Sequence, residues 1–243
     1  MNTETFSTPD LGIRDVNENG WDLMKAGKYE AALRSFREEL ADDSSPRVLN
    51  NMGTTYLCMG DAEAAKRHFD KALNVSDESG DHASAGVARW LMNEREDAIV
   101  MWQNGLKCEF QDAAGGIEFP LLLFYAAVRE PGLCSLQDAK RLVRKATKHA
   151  WASNWPGPIG LYLLGKIDEE RLRAEAVFEV DSVTKEQLAQ TEFYFGVKTL
   201  TEGQKGKFRE HMKGCAEAEH CEIINEVFLA RHELSQFRPK RIR

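Results

Sequence analysis

The chain has 243 residues, of which 42% are hydrophobic and 29% charged, and its formal net charge at pH 7 is −7. This composition is typical of a globular protein and excludes a chain that is disordered throughout. The acidic balance disfavours nucleic acid as a partner and favours another protein or a peptide that is neutral or basic. The most apolar run, residues 119–128, is about half of the ~20 residues that a membrane span needs, so we expect no membrane partner.

The cysteines are odd in number and scattered along the chain. They are Cys58, Cys108, Cys134, Cys215 and Cys221. Their spacing is not that of a small secreted domain held by disulfides. Residues 1–9 have neither the basic start nor the apolar centre of a signal peptide. We therefore expect a soluble cytoplasmic protein.

In chain order, residues 1–12 lack periodicity and are predicted to be a flexible lead-in. Residues 13–106 then repeat with a period of 33. The recurring positions are Gly20, Gly53 and Gly86; Ala32, Ala65 and Ala98; Phe36, Phe69 and Trp102; and Leu40, Leu73 and Leu106. Self-similarity at this period is typical of stacked helix pairs, each too small to bury its own apolar face. The pattern predicts three antiparallel helix pairs.

The small residues of the repeat have a mechanical reason. Gly20 and Ala32 fall where the two helices of a pair cross, and a side chain larger than methyl would hold the helices apart. The first helix of the first two pairs is predicted to end at a glycine, Gly27 and then Gly60. The third copy has Asn93 at this position, so we expect its first helix to end differently.

After residue 106 the period breaks, and residues 107–180 are predicted to form an irregular helical section. It contains a loop with two glycines over 107–116, an apolar helix over 117–129 that is expected to be buried from several sides, and an amphipathic helix over 136–150. Asp168 is expected to cap a further helix. Residues 181–237 are predicted to form a degenerate helix pair and a capping helix that shields the end of the stack. Residues 238–243 form a basic tail. The predicted fold class is all-α, an α-solenoid of about five to six helix pairs plus the cap.

The segments GWDLMKAGKYEAALRSFREEL and MGTTYLCMGDAEAAKRHFDKAL resemble the tetratricopeptide repeat. The resemblance is strong over residues 13–106 and weak over 185–235. The third copy departs from it at Arg89 and Asn93, where an aromatic residue and the turn glycine are expected. The resemblance implies a right-handed superhelix of helix pairs that binds a peptide or helix of a partner protein in its concave groove. It implies no cofactor.

The first helix of each pair carries a second stripe, which we expect to line the concave face. The predicted partner-binding residues are Arg14, Asn17, Trp21, Lys25, Arg47, Asn50, Thr54 and Trp90. Asparagine both donates and accepts hydrogen bonds, so a ladder of asparagines can hold a peptide backbone. Tryptophan is a frequent anchor in interfaces. The alternative is that the tryptophans fill gaps between helices and the asparagines face water.

A second cluster of functional side chains lies near the C-terminus. His211 and Cys215 share one helical face, and His220 and Cys221 follow, so four ligands for zinc are close in sequence. Their spacing is not that of a zinc finger, and neighbouring His and Cys ligands are geometrically awkward. We therefore predict no metal and a half-buried structural cysteine.

No motif of a hydrolase, metalloprotease, phosphate-binding loop or dinucleotide site is present. The predicted function is therefore a non-enzymatic protein–protein interaction module. The alternative is an immunity-type inhibitor that neutralises a toxin by direct binding, since an acidic surface attracts a basic partner such as a nuclease. A sensor built on the cluster over 211–221 is a third hypothesis, and pairing of two copies through the N-terminal helix pair is a further one.

Overall fold

A computed structural model of the chain describes residues 19–42, 45–76, 79–108, 112–219 and 223–237. Every regular element in these ranges is a helix, which confirms the predicted all-α class. The helices are α1 (Gly20–Lys25), α2 (Tyr29–Asp42), α3 (Pro46–Cys58), α4 (Ala62–Val75), α5 (Ser79–Leu91), α6 (Arg95–Gly105), α7 (Glu118–Arg129), α8 (Leu136–Ala146), α9 (Gly157–Leu163), α10 (Glu169–Glu175), α11 (Asp181–Thr201), α12 (Lys205–Ala216) and α13 (Asn225–Gln236). None of these described helices is both long and apolar enough to cross a bilayer. The predicted lead-in over 1–12 and the basic tail over 238–243 lie outside the described residues.

Side-chain caps start several helices. The carboxylate of Asp61 accepts a hydrogen bond from the backbone N–H of Ala64 at the start of α4, at 2.9 Å. Asp168 does the same for Arg171 at the start of α10, at 2.8 Å, as its position in the sequence predicted. The predicted helix over 136–150 is shorter in the structure, because α8 ends at Ala146.

Five turns between helices share one geometry. They follow α1, α3, α5, α9 and α11 and contain Gly27, Gly60, Asn93, Gly165 and Gly203, with φ between 63° and 80°. In each turn this residue donates its N–H to the carbonyl three positions back, and the next residue donates to the carbonyl five back. The expectation that α5 ends differently was wrong. Asparagine is among the few non-glycine residues that adopt a positive φ readily, so Asn93 replaces the glycine.

The recurring glycines lie against the recurring aromatic rings. A Cβ added to Gly20 would be 2.5 Å from the ring of Phe36, and a Cβ on Gly53 would be 2.5 Å from the ring of Phe69. Gly86 has the same relation to Trp102. The sequence analysis allowed a methyl group at this crossing, whereas the structure leaves no room for one unless the ring moves. Glycine and ring share the 33-residue period because they pack against each other within one pair.

Successive helices pack mainly against their neighbours in the chain, most extensively α3 with α4, α5 with α6, and α11 with α12. The helix predicted to be buried from several sides is α7, and all its residues from Phe119 to Ala127 are buried. The apolar core forms two clusters. A small one lies within α1, α2 and α3 around Phe36, and the large one extends from Leu57 through the rest of the described chain.

The last helix was predicted to shield the end of the stack, but in the structure it also packs against helices from the middle of the chain. α13 packs against α5, α11 and α12. Its Glu233 carboxylate accepts hydrogen bonds from the Tyr125 hydroxyl at 2.6 Å and the Arg129 Nε at 2.7 Å, both on α7. Val227 and Leu229 are fully buried. α13 therefore covers a face to which α5, α7 and α11 all contribute, because its apolar side chains and its buried carboxylate find their partners there.

Candidate partner-binding cleft

The structure describes six of the eight predicted partner-binding residues, since Arg14 and Asn17 lie outside the described ranges. Trp21 and Lys25 lie on the surface of α1, with 38% of Trp21 exposed. Both side chains are available to a partner. Their role as binding residues remains a prediction.

On α3, the predicted residues are engaged with neighbouring helices or buried. Arg47 forms an exposed ion pair with Glu39 of α2 at 2.7 Å. The amide of Asn50 donates a hydrogen bond to the Asp81 carboxylate of α5. Thr54 is only 9% exposed. Asn50 therefore connects two helices in this conformation, instead of presenting its amide to a peptide.

Trp90 does not lie on a surface, which corrects its assignment to the concave face. Its side chain has no exposed area. Its ring packs against Trp102 of α6 and Tyr125 of α7, at centroid distances of 5.4 and 5.1 Å, and the Arg95 guanidinium lies 4.2 Å from its centroid. The interpretation that a periodic tryptophan fills a gap between helices applies here. Trp90 became part of the core because α6 and α7 enclose it.

An open cleft lies where α13 meets the ends of α3 and α5. It has a volume of about 470 Å³. It is lined by Leu57, Cys58, Met59, Gly60, Ala62, Leu91, Phe228, Arg231, His232 and Ser235. The turn after α3 forms one wall and α13 forms the other. The cleft is therefore the part of this helical face that α13 leaves accessible.

The cleft exposes apolar and polar surface in similar amounts, and most of its polar side chains lie on the α13 side. Met59 stands at its rim with 40% of its surface exposed, and a flexible thioether adapts to partners of different shape. Arg231 donates a hydrogen bond to a backbone carbonyl of α12 at 3.4 Å. Binding sites combine apolar surface with placed polar groups, and the cleft offers both.

His232 enters the cleft as a neutral imidazole. Burial lowers its pKa, and the neighbouring Arg95 charge lowers it further. The Arg95 Nη2 lies 3.0 Å from the His232 Nε2. Because a guanidinium can only donate, Nε2 is the acceptor. The α13 wall therefore carries one positive charge, on Arg231, at pH 7.

The structure describes two of the four candidate zinc ligands, His211 and Cys215, and both have other surroundings. His211 Nδ1 lies 2.8 Å from a Glu192 carboxylate oxygen, and Cys215 is fully buried. Burial raises the pKa of Glu192, but hydrogen bonds from His211 and Arg173 outweigh it, and the pKa is lowered. His220 and Cys221 lie outside the described residues. Within the described ranges, no group of three or more His, Cys, Asp or Glu side chains is arranged to hold a metal ion.

The cleft could not be predicted from the sequence because four of its ten lining residues belong to α13, whose position depends on contacts far along the chain. One local signal was available. Met59 is an apolar residue directly before the turn glycine Gly60, a position that faces solvent in a short turn. No family model matches the chain, and no curated protein matches it in sequence. The resemblance to the tetratricopeptide repeat is therefore carried by the residues quoted above alone.

Proposed function

We propose that this chain is a non-enzymatic adaptor with a tetratricopeptide-like solenoid, and that it binds a segment of another protein in the cleft between α3, α5 and α13. The 33-residue period, the glycine–ring contacts and the shared turn geometry support the solenoid. The observation that carries the binding role is the open cleft, with the apolar side chains of Leu57, Leu91 and Phe228 in its lining and the exposed Met59 at its rim.

The lining of the cleft defines the segment that it would accept. A volume of about 470 Å³ lies within the range of ligand sites, roughly 300–1,000 Å³, and is enough for large apolar side chains. None of the ten lining residues is acidic, and Arg231 is the cationic one at pH 7. A basic segment would therefore gain nothing from the cleft itself. The partner segment is expected to be neutral, with an aliphatic or aromatic side chain that packs on Leu57, Leu91 and Phe228.

Replacement of Met59 by aspartate tests the proposal. A carboxylate at the rim would have to be desolvated when an apolar segment binds, so affinity should fall at least about tenfold. The measurement is quantitative pull-down from native lysate, followed by titration of the captured partner. The control is Val100→Asp on α6, which changes an apolar residue of similar exposure (46%) that does not line the cleft.

Both variants should retain the helical circular dichroism and the melting temperature of the wild type. The partner should be lost with Met59→Asp and retained with Val100→Asp. Equal capture by the two variants would remove the cleft from consideration as the binding site.

A further inference from the structure

A second surface, independent of the cleft, lies on α8 and the turn that follows it. Residues 136–149 include five Lys and Arg residues and a single acidic residue, Asp138, although the net charge of the whole chain is −7. We refer to these cations as the α8 basic face. They are Lys140, Arg141, Arg144, Lys145 and Lys148.

The orientation of α8 is fixed by its start and its buried side. The Ser135 hydroxyl caps the helix by accepting a hydrogen bond from the backbone N–H of Asp138 at 3.3 Å. Ala139 and Val143 are buried against the core, with 1% and 0% exposure. Helical geometry directs Arg141, Arg144 and Lys145 away from this buried side, and all three are exposed. Lys148, in the turn after the helix, is also exposed, whereas Lys140 is half-buried.

The charge of the α8 basic face is largely uncompensated. Within the described residues, Arg141 is its one member with an ion-pair partner, Asp138 at 2.9 Å. Like charges four positions apart destabilise a helix. The helix dipole offsets this cost for Arg144 and Lys145 in the last turn. It does not do so for Lys140, and Lys148 lies beyond the helix.

A cavity of about 620 Å³ adjoins this face. Its lining residues are Leu106, Gly115, Gly116, Pro120, Leu142, Lys145, Ala146, Lys148 and His149. Most of the wall is apolar, and the polar side chains are two lysines and one histidine. No acidic side chain is among the residues that line it. The cavity thus joins an apolar interior to a cationic edge.

Residues 112–118, which border the cavity, are held in place by hydrogen bonds. The Asp112 carboxylate accepts hydrogen bonds from the backbone N–H groups of Ala114, Gly116 and Glu118, at 2.9, 3.0 and 2.7 Å. Gly115 has a φ of +81° and lies against His149 so closely that any Cβ would overlap the imidazole. The cavity wall is therefore preformed by hydrogen bonds and close packing.

We infer that the α8 basic face and the adjoining cavity bind an acidic segment of another protein. One apolar side chain of the segment occupies the cavity, and carboxylates on either side of it pair with Lys145 and Lys148. The lysines supply charge complementarity, and the apolar wall selects for a side chain that a purely ionic surface would not hold.

Nucleic acid fits these observations less well. Salt screens the positive charge of α8 within about 8 Å. A long polyanion extends beyond this distance and is then repelled by a chain that is acidic overall. The apolar wall also offers few hydrogen-bond partners to the polar edge of a base. A short acidic segment needs only the local charge.

The test uses a fluorescently labelled peptide of three glutamates, one leucine and three glutamates, titrated with the full chain by fluorescence anisotropy. Replacing its leucine by alanine should weaken binding about tenfold, because the larger side chain buries more apolar surface. Replacing its glutamates by glutamine, or raising the salt to about 0.5 M, should abolish binding. Failure of the glutamate peptide to bind would overturn the inference.

The protein variants locate the site. Lys145→Glu with Lys148→Glu should weaken the peptide at least about tenfold. The control, Lys205→Glu with Lys207→Glu, makes the same charge change at two exposed lysines of α12 and should leave the affinity within about twofold. Equal weakening by the two pairs would show that only net charge matters and would overturn the site.

The cavity is tested separately from the charge. Ala146→Trp should fill the cavity and abolish the advantage of leucine over alanine in the peptide. If the tryptophan variant does not fold, Ala146→Leu takes its place and should reduce that advantage. An unchanged advantage in the folded variant would exclude the cavity. A single-stranded thymidine oligonucleotide is tested in the same way. If it binds more tightly than the glutamate peptide, and the lysine variants abolish its binding, the ligand of this surface is nucleic acid and the inference is wrong. Met59→Asp leaves this surface intact, so the result is independent of the cleft experiment.

Discussion

At Gly53 the backbone of α3 lies directly under the ring of Phe69, and the absent side chain is what allows the two helices to approach. Carbon atoms in van der Waals contact are about 3.5–4.0 Å apart, whereas a methyl group here would be 2.5 Å from the ring. The same relation joins Gly20 to Phe36. A glycine on the first helix and a ring on the second therefore form the unit contact that the repeat preserves.

Gly53→Ala should lower the free energy of unfolding by about 1–3 kcal/mol, because the ring or the helix must shift to admit the methyl group. Denaturant unfolding measures the loss. Phe69→Leu in the same chain should recover part of it, since the two residues are in contact.

The control for this substitution is Gly206→Ala. This glycine lies in α12 with open space around the position of a Cβ. Alanine is the better helix former, so the variant should be more stable by roughly 0.5–1 kcal/mol. Equal destabilisation by the two alanines would refute the packing role of Gly53.

At the scale of elements, the contact between α7 and α13 includes the half-buried carboxyl group of Glu118 and the buried one of Glu226. Glu118 begins α7 and receives a hydrogen bond from the Asn225 amide at 3.4 Å. Glu226 on α13 receives one from the Gln190 amide at 3.1 Å. Burial, reinforced by the charges of Glu226 and Asp112, raises the pKa of Glu118 to about 7. Burial also raises the pKa of Glu226. The contact between the two helices therefore favours protonated carboxyl groups.

This shift predicts that stability falls as pH rises. Because the pKa of Glu118 is higher in the folded than in the unfolded chain, the folded state holds the extra proton, and its stabilising effect disappears as pH passes about 7. Between about pH 6.5 and 8.5 the unfolding free energy should drop by on the order of 1 kcal/mol. Burial lowers the pKa values of His68 and His232, so these two groups make the unfolding free energy rise with pH, but they do so below this pH window.

Glu118→Gln should flatten this pH dependence, since an amide keeps the hydrogen-bonding shape and cannot ionise. Thermal or denaturant unfolding at several pH values provides the measurement. Glu210→Gln, at an exposed position of α12, should leave the slope as in the wild type. A slope that persists in Glu118→Gln would assign the effect to other groups.

For the whole molecule, α13 connects parts of the chain that are far apart in sequence. Its Glu233 bonds to Tyr125 and Arg129, 108 and 104 positions away. Ile223, two positions before the start of α13, packs on the small core of α1, α2 and α3. The C-terminal segment therefore touches both apolar clusters and ties the first helices to the last.

Loss of this connection should be costly. Glu233→Leu leaves the half-buried Arg129 charge and the buried Tyr125 hydroxyl without their acceptor, and should reduce the unfolding free energy by about 1–3 kcal/mol. Arg129→Leu in addition should restore part of the loss, because no charge then remains unpaired. Unfolding curves give both values. The matched control is Glu38→Leu at an exposed position of α2, and a cost there as large as at Glu233 would contradict the role of the buried pair.

Much of the local structure could be predicted from the chain itself. The period of 33 identified the helix pairs, Asp168 was recognised as a cap, and the apolar run over 117–129 indicated the buried α7. Turn chemistry was reliable at Gly27 and Gly60 and too strict at Asn93. Helices and turns of this kind depend on residues within a few positions of each other, so their signals lie next to one another in the chain.

Trp21 and Trp90 show where such reasoning ends. Both lie on the first helix of a pair, yet Trp21 is 38% exposed and Trp90 is fully buried. Helical periodicity tells which side of a helix faces its own partner, but not which distant element covers the opposite side. For Trp90 the covering element is α7, whose Tyr125 lies 35 positions further along the chain and packs on the indole at a centroid distance of 5.1 Å. Whether a side chain becomes core or surface thus depends on long-range packing, which no local pattern records.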